Sequence, residues 1–242
     1  MRNGPLFLLG LFAALTLSWA GIVLGSNAQL GSLAPYYDDA EGQSFPLRAP
    51  GIANRGQLVY ADLGCAACHT QQVRRPDFGS DQARGWGDRQ SVARDYIFQS
   101  RPQLGASRFG PDLTNLAGRK PSAPDADDLM NLLYAGSERH PAYKFLFTER
   151  AIAGEPASIA LKLTGNAAPD AGREVIPTER AQSLVAYLLS LNNGYDYPEA
   201  RPIVNPEAEK KPAPAAAPAT EKKENAPAAT PAPAAQKAEG KK

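Results

Sequence analysis

The pentapeptide Cys65-Ala66-Ala67-Cys68-His69 constrains this chain more tightly than anything else in it. Two thiols three positions apart, with a histidine next in line, form the C-x-x-C-H attachment site of a c-type haem. The thiols reach the vinyl groups, and the imidazole coordinates the iron from the proximal side. A chain with that commitment has to fold around a planar prosthetic group. Two other chemistries share the spacing. A redox dithiol needs a thioredoxin-like setting, and half of a zinc site needs further ligands. Cys65 and Cys68 are the only cysteines and His69 and His140 the only histidines, so the ligands for zinc are lacking. The predicted cofactor is one covalently bound haem c and its iron, with His69 as a metal ligand. No cysteine is left over for a disulfide.

From Pro5 to Gly25 there is no charged residue, and 21 residues at a rise of about 1.5 Å cross a hydrocarbon core of roughly 30 Å. A cleaved signal peptide is the competing reading, with Ser26-Asn27-Ala28 as the cleavage site, but the apolar run is longer than a signal peptide's. The expectation is an uncleaved single-pass anchor over residues 1–28. Arg2 precedes the span and Asp38, Asp39 and Glu41 follow it. The positive-inside rule then leaves the N-terminus in the cytoplasm and the bulk of the chain outside it. The formal charge of +1 offers no basic field for nucleic acid.

Residues 26–53 are rich in Gly, Pro, Ser and Asp with no helical or strand period, and read as a spacer, with a linker over 29–53. A helix is predicted from near Asn54 into the haem motif, because Gly56, Tyr60 and Leu63 share one face. A second is predicted from about Asp125 to Tyr134, started by Ser122 with Asp125 three residues on, and carrying Leu129, Leu132 and Leu133 inward. A third starts at Pro177-Thr178-Glu179 with Thr178 as N-cap and repeats Leu184, Leu188 and Leu191. The first and third helices are expected to cross with a glycine at the contact and Tyr60 and Tyr187 around it, although two helices that never touch would show the same periods.

Gly110-Pro111-Asp112-Leu113 reads as a pocket loop. Pro111 offers a fixed carbonyl to the outer N–H of a ligating histidine, and Leu113 an apolar contact for the ring. Taken alone the tetrapeptide is also an ordinary turn. Buried propionates need cationic or N–H partners, and Arg74, Arg75, Arg84, Arg89 and Trp86 are candidates among a mostly surface cluster. Residues 150–176 read as an insertion with a short strand at Ile159 to Leu163. After Pro202 the chain is mostly Ala, Pro, Lys and Glu, and residues 201–242 are predicted to be a disordered tail.

Cys68-His69-Thr70-Gln71-Gln72-Val73-Arg74, Gly110-Pro111-Asp112-Leu113, Pro141-Ala142-Tyr143, and Pro177-Thr178 leading to Leu184-Val185-Ala186-Tyr187-Leu188-Leu189-Ser190-Leu191 resemble the membrane-anchored mono-haem subunit II of cbb3-type cytochrome c oxidases. The resemblance implies a mainly α fold, a class I cytochrome c domain over 54–200, behind the N-terminal transmembrane helix. It implies a domain on the outer, periplasmic face of the cytoplasmic membrane that relays single electrons to the haem-copper catalytic subunit. The donor would be another cytochrome c subunit or a soluble protein. Where that family has a methionine before Pro-Ala-Tyr, this chain has His140 in a shortened loop. His140 is therefore the expected sixth ligand, with Met130 and an open iron as rivals; Met130 falls among leucines in a predicted helix, where core filling is the ordinary role.

Two other functions share these features. The cytochrome subunit of nitric oxide reductase has a similar anchor, motif and loop, but the Thr-Gln-Gln-Val-Arg continuation favours the oxidase. A haem sensor or peroxidase-like enzyme requires an open iron, which a filled sixth position argues against.

Overall fold

In the computed structural model, which describes residues 3–201, the chain opens with one continuous helix, α1, over Gly4–Leu30. It contains a wider π-type stretch at Ala20–Leu24. Its most apolar 18 residues have a mean hydropathy of 2.2 and none of them is buried, and 27 residues of helix reach about 40 Å, enough to span a bilayer core. The helix continues past Gly25, the end of the apolar run, so the first residues of the expected spacer belong to it.

The rest of the expected spacer is structured as well. Strands β1 (Tyr36–Asp38) and β2 (Gln43–Phe45) form an antiparallel hairpin, with Tyr36 opposite Phe45. The Asp38 side chain accepts from the Ala40 N–H at 2.8 Å inside the turn, which Gly42 completes with φ +65°. Phe45 stacks on Tyr195 at 3.8 Å between centroids, Tyr195 donates its hydroxyl to Asp38 at 2.6 Å, and Arg94 donates to the Ala34 carbonyl. The hairpin is therefore fastened to the end of the domain by residues some 150 positions away, which no local period could reveal.

Helix α2 (Gly51–Asp62) follows Pro50 and begins three residues earlier than its apolar face indicated. It does not run into the haem motif. Leu63 caps it, Gly64 turns the chain with φ +71°, and the motif opens as a separate short 3-10 turn, Cys65–Ala67. Helix α3 (Ala126–Ala135) is started by Asp125, whose side chain accepts from the Asp128 N–H at 2.8 Å while Asp128 reaches back. Ser122 is not the cap. Leu129 and Leu133 face the core, but Leu132 is exposed, because the stripe runs through positions 129, 133 and Tyr134.

The expected strand at Ile159–Leu163 is absent. The strands here are β3 (Phe147–Ala151) and β4 (Arg173–Pro177), antiparallel and in register from Phe147–Pro177 to Ala151–Arg173. Leu161 and Leu163 instead touch the core from the loop between them. Helix α4 (Glu179–Ser190) starts at Thr178, whose hydroxyl accepts from the Ala181 N–H. It crosses α2 at Gly56, where a Cβ would overlap the backbone carbonyl of Ser183. Tyr60 and Tyr187 meet edge to face beside that contact, 5.4 Å apart. Ala53, Val59, Leu184, Val185 and Leu188 bury the rest of the seam, and each large side chain contributes roughly 1.5–3 kcal/mol of transfer free energy. The C-terminal tail beyond Arg201 lies outside the described residues.

Candidate haem site

The motif is held by its own backbone first. The N–H groups of Cys68 and His69 both donate to the Cys65 carbonyl, at 3.1 and 2.9 Å, so the turn brings the second thiol and the imidazole round together. Cys65 packs against the core and burial pushes its thiol up to about 11; Cys68 is exposed.

The segment 104–113 then straps the motif along its length. Gln71 N–H donates to the Leu104 carbonyl, Ala106 to Ala66, Gly110 to Cys68 and Leu113 to Thr70, all within 2.8–3.0 Å. Gly110 lies flat on the His69 ring, and a Cβ there would overlap the imidazole. His69 Nδ1 sits 2.8 Å from the Pro111 carbonyl. The ring therefore carries its proton on Nδ1 and presents Nε2 as a bare donor. Leu113 is buried in the main core.

Two residues that sequence reasoning passed over fix this loop. Asp112 is fully buried and every lone pair is used. One carboxylate oxygen accepts from the Thr70 hydroxyl at 2.6 Å and the Gln72 N–H at 2.8 Å; the other accepts from the hydroxyl and N–H of Thr114, at 2.6 and 2.9 Å. The available signal was an acid in an apolar loop with threonines at both of its partner positions. Gln71, also buried, accepts from the Tyr187 hydroxyl at 2.8 Å, and its carbonyl accepts from Tyr96, tying α4 to the motif.

Beyond α3 the chain turns at Gly136 (φ +70°), Ser137 and His140 pair by their backbones, and the His140 ring comes to 6.2 Å from the His69 ring, centroid to centroid. Two imidazoles bonded to one metal from opposite sides, at about 2.0 Å each, hold their centroids about 6 Å apart. The pair therefore fits one iron between them. Burial pushes the His140 pKa down, and the neighbouring His69 adds to this, so the ring is neutral and able to ligate near pH 7. Met130 packs against the core from α3.

The arginine candidates divide differently from expectation. Arg89 is buried in an ion pair with Asp95 at 2.7 Å and donates to the Tyr195 carbonyl. Arg74 is paired with Asp81, Arg75 with Asp77, and Arg84 lies over Trp86. Arg119, not singled out from the sequence, is the exception. Its guanidinium donates to the Asp112 carbonyl, while its buried Nε has no partner among the described residues. A half-buried guanidinium whose buried Nε is unsatisfied calls for an anion, and a haem propionate is one. A cavity of about 800 Å³ lies elsewhere, between the β1–β2 hairpin and the segment 190–198, and does not include the histidines.

A mainly helical domain that brings two histidine rings to 6.2 Å, behind a single apolar helix long enough to span a membrane, has the make-up of a membrane-anchored mono-haem protein. Residues 50–164 match the family described as "Cytochrome C oxidase, mono-heme subunit/FixO". Over those residues the chain belongs to that family, the mono-haem, electron-transferring subunit of cbb3-type cytochrome c oxidases. No curated protein matches the chain. The match decides between the oxidase and the nitric oxide reductase subunit in favour of the first.

Proposed function

We propose that this chain holds one haem c through thioether bonds from Cys65 and Cys68, with His69 and His140 as the axial ligands. The observation that carries this reading is the 6.2 Å imidazole pair, one member of which has its outer nitrogen on the Pro111 carbonyl. Bound there, the haem supplies a one-electron couple. The residues do the rest: Pro111 fixes the tautomer of His69, Asp112 locks the loop that carries Pro111, Leu113 keeps the pocket apolar, and Arg119 offers its free Nε to a propionate. With His69 and His140 both holding the iron at rest, the haem would serve electron transfer rather than peroxidase-like chemistry, which needs a permanently open position.

A second imidazole in place of methionine lowers the potential relative to a histidine–methionine haem. The acidic residues that follow α1, and a haem attachment chemistry that operates outside the cytoplasm, support a domain on the periplasmic side. Electrons would pass from a cytochrome c subunit or soluble donor to the haem-copper catalytic subunit of the same complex. The attachment is tested by a haem stain after denaturing electrophoresis: positive in the wild type, lost in the Cys65→Ser, Cys68→Ser double variant. Stain that survives both substitutions refutes it. Co-purification of a haem-copper subunit with the tagged chain tests the partner.

A further inference from the structure

The two histidines are held in very different ways, and that difference has a consequence if they are the axial pair proposed above. His69 is tied through Nδ1 to the Pro111 carbonyl, pressed by Gly110, and embedded in a motif strapped by four backbone hydrogen bonds. His140 has no such support. Its Nδ1 is buried and makes no well-formed hydrogen bond among the described residues, with only the adjacent Pro141 carbonyl near the ring. A ligating imidazole that lacks its outer partner binds its metal about 10–100-fold less tightly.

The segment that carries His140 is also self-contained. Ser137 N–H donates to the His140 carbonyl at 2.8 Å, and the His140 N–H lies 3.1 Å from the Ser137 hydroxyl. Ser137, Glu138, Arg139, Pro141 and Ala142 are all exposed. Tyr143 N–H closes the base of the turn on the Leu133 carbonyl at 2.7 Å, and on either side Leu133, Tyr134, Leu146 and Phe147 are buried. The turn 136–142 can thus move outward as a unit and leave the core packed, since the imidazole is the one group in it directed at the site.

We propose that the His140 side of the iron is an exchangeable coordination position, at which a small neutral π-acceptor ligand such as carbon monoxide replaces His140 in the reduced protein as the turn 136–142 swings out. The bond from iron to His140 Nε2 breaks, the lone pair of the incoming diatomic forms the new bond, and no electron or proton is transferred. His69, anchored by Pro111, stays bound throughout.

The test mixes the dithionite-reduced, detergent-solubilised full chain with carbon monoxide and follows the Soret band. In the wild type a carbonyl complex forms at a rate that levels off with increasing carbon monoxide, because release of His140 limits it. In His140→Ala the rate rises linearly with carbon monoxide and passes the wild-type plateau. Ser137→Ala keeps the ligand but removes the hydroxyl beside the His140 N–H. It should raise the plateau and leave the oxidised spectrum unchanged. A wild type with a bis-imidazole spectrum that forms no carbonyl complex, while His140→Ala does, overturns the exchange and leaves the axial pair standing. Identical, linear rates in wild type and His140→Ala overturn the axial pair and the exchange with it.

Discussion

Gly56→Ala sets two effects of opposite sign against each other. In a helix interior the change from glycine to alanine is worth about 1 kcal/mol in favour of the variant. At this position, however, the new methyl overlaps the Ser183 carbonyl and approaches Tyr187 Cβ, so α4 has to move bodily. Overpacking typically costs about 1–3 kcal/mol. The upper end applies, because the obstructing atoms are helical backbone rather than the end of a flexible side chain. The net expectation is a loss of about 2 kcal/mol, which for a domain of this size lowers the melting temperature by about 4–8 °C. Far-ultraviolet circular dichroism of the detergent-solubilised protein measures it, with the Soret band recorded in parallel to follow the haem. Gly51→Ala, at the first position of α2 with no atom within 4 Å of the new methyl, is the matched control and should melt at or slightly above the wild type. A Gly56→Ala protein that melts as high as that control would refute the close crossing of α2 and α4.

Two further outcomes follow from the buried acids. Asp81 is fully buried; burial alone would raise its pKa, but hydrogen bonds from Arg74 and the ion pair with Arg108 hold it at about 2. A depressed carboxylate pKa contributes stability that is present above the ordinary value of about 3.8 and lost as pH falls toward 2, here about 2 kcal/mol. Melting temperature against pH should fall across that window in the wild type, while Asp81→Asn melts lower at pH 7 and varies less between pH 4 and 2. Asp112→Asn turns one acceptor pair into a donor; a threonine hydroxyl can rotate to meet it, but the backbone N–H of Gln72 or Thr114 cannot, at a cost of about 1–3 kcal/mol. Urea denaturation measures that loss, and an unchanged midpoint would contradict the closed Asp112 network.

What could be read in the sequence follows from how local each signal is. The seam of α2 and α4 was legible because Gly56, Tyr60, Leu184 and Leu188 repeat at helical spacing, and Thr178 is a cap that acts three residues away. The pocket loop was legible because Pro111 offers the same carbonyl wherever it sits. The two hairpins were not. β3 and β4 carry Glu149, Arg150, Arg173 and Glu174, whose pairing across the strands hides the alternation that a single strand would show. The alternating apolar residues Ile159, Leu161 and Leu163 carry the strand expectation instead, although Leu161 and Leu163 serve the core from a loop. Phe45 and Tyr36 read as spacer residues because Tyr195 and Tyr197 lie at the other end of the chain. Arg119 was missed for a related reason: its burial depends on the fold of the Asp112 loop, and nothing in Gly118-Arg119-Lys120 separates it from the surface arginines.

The axial assignment is the centre of the account, and near-infrared magnetic circular dichroism of the oxidised, detergent-solubilised protein tests it most directly. The 6.2 Å pairing of His69 and His140 predicts low-spin iron with a bis-imidazole charge-transfer band, converted to high spin by His140→Ala and unaffected by Met130→Leu. A methionine-type band in the wild type, or high-spin iron that His140→Ala leaves unchanged, would contradict it.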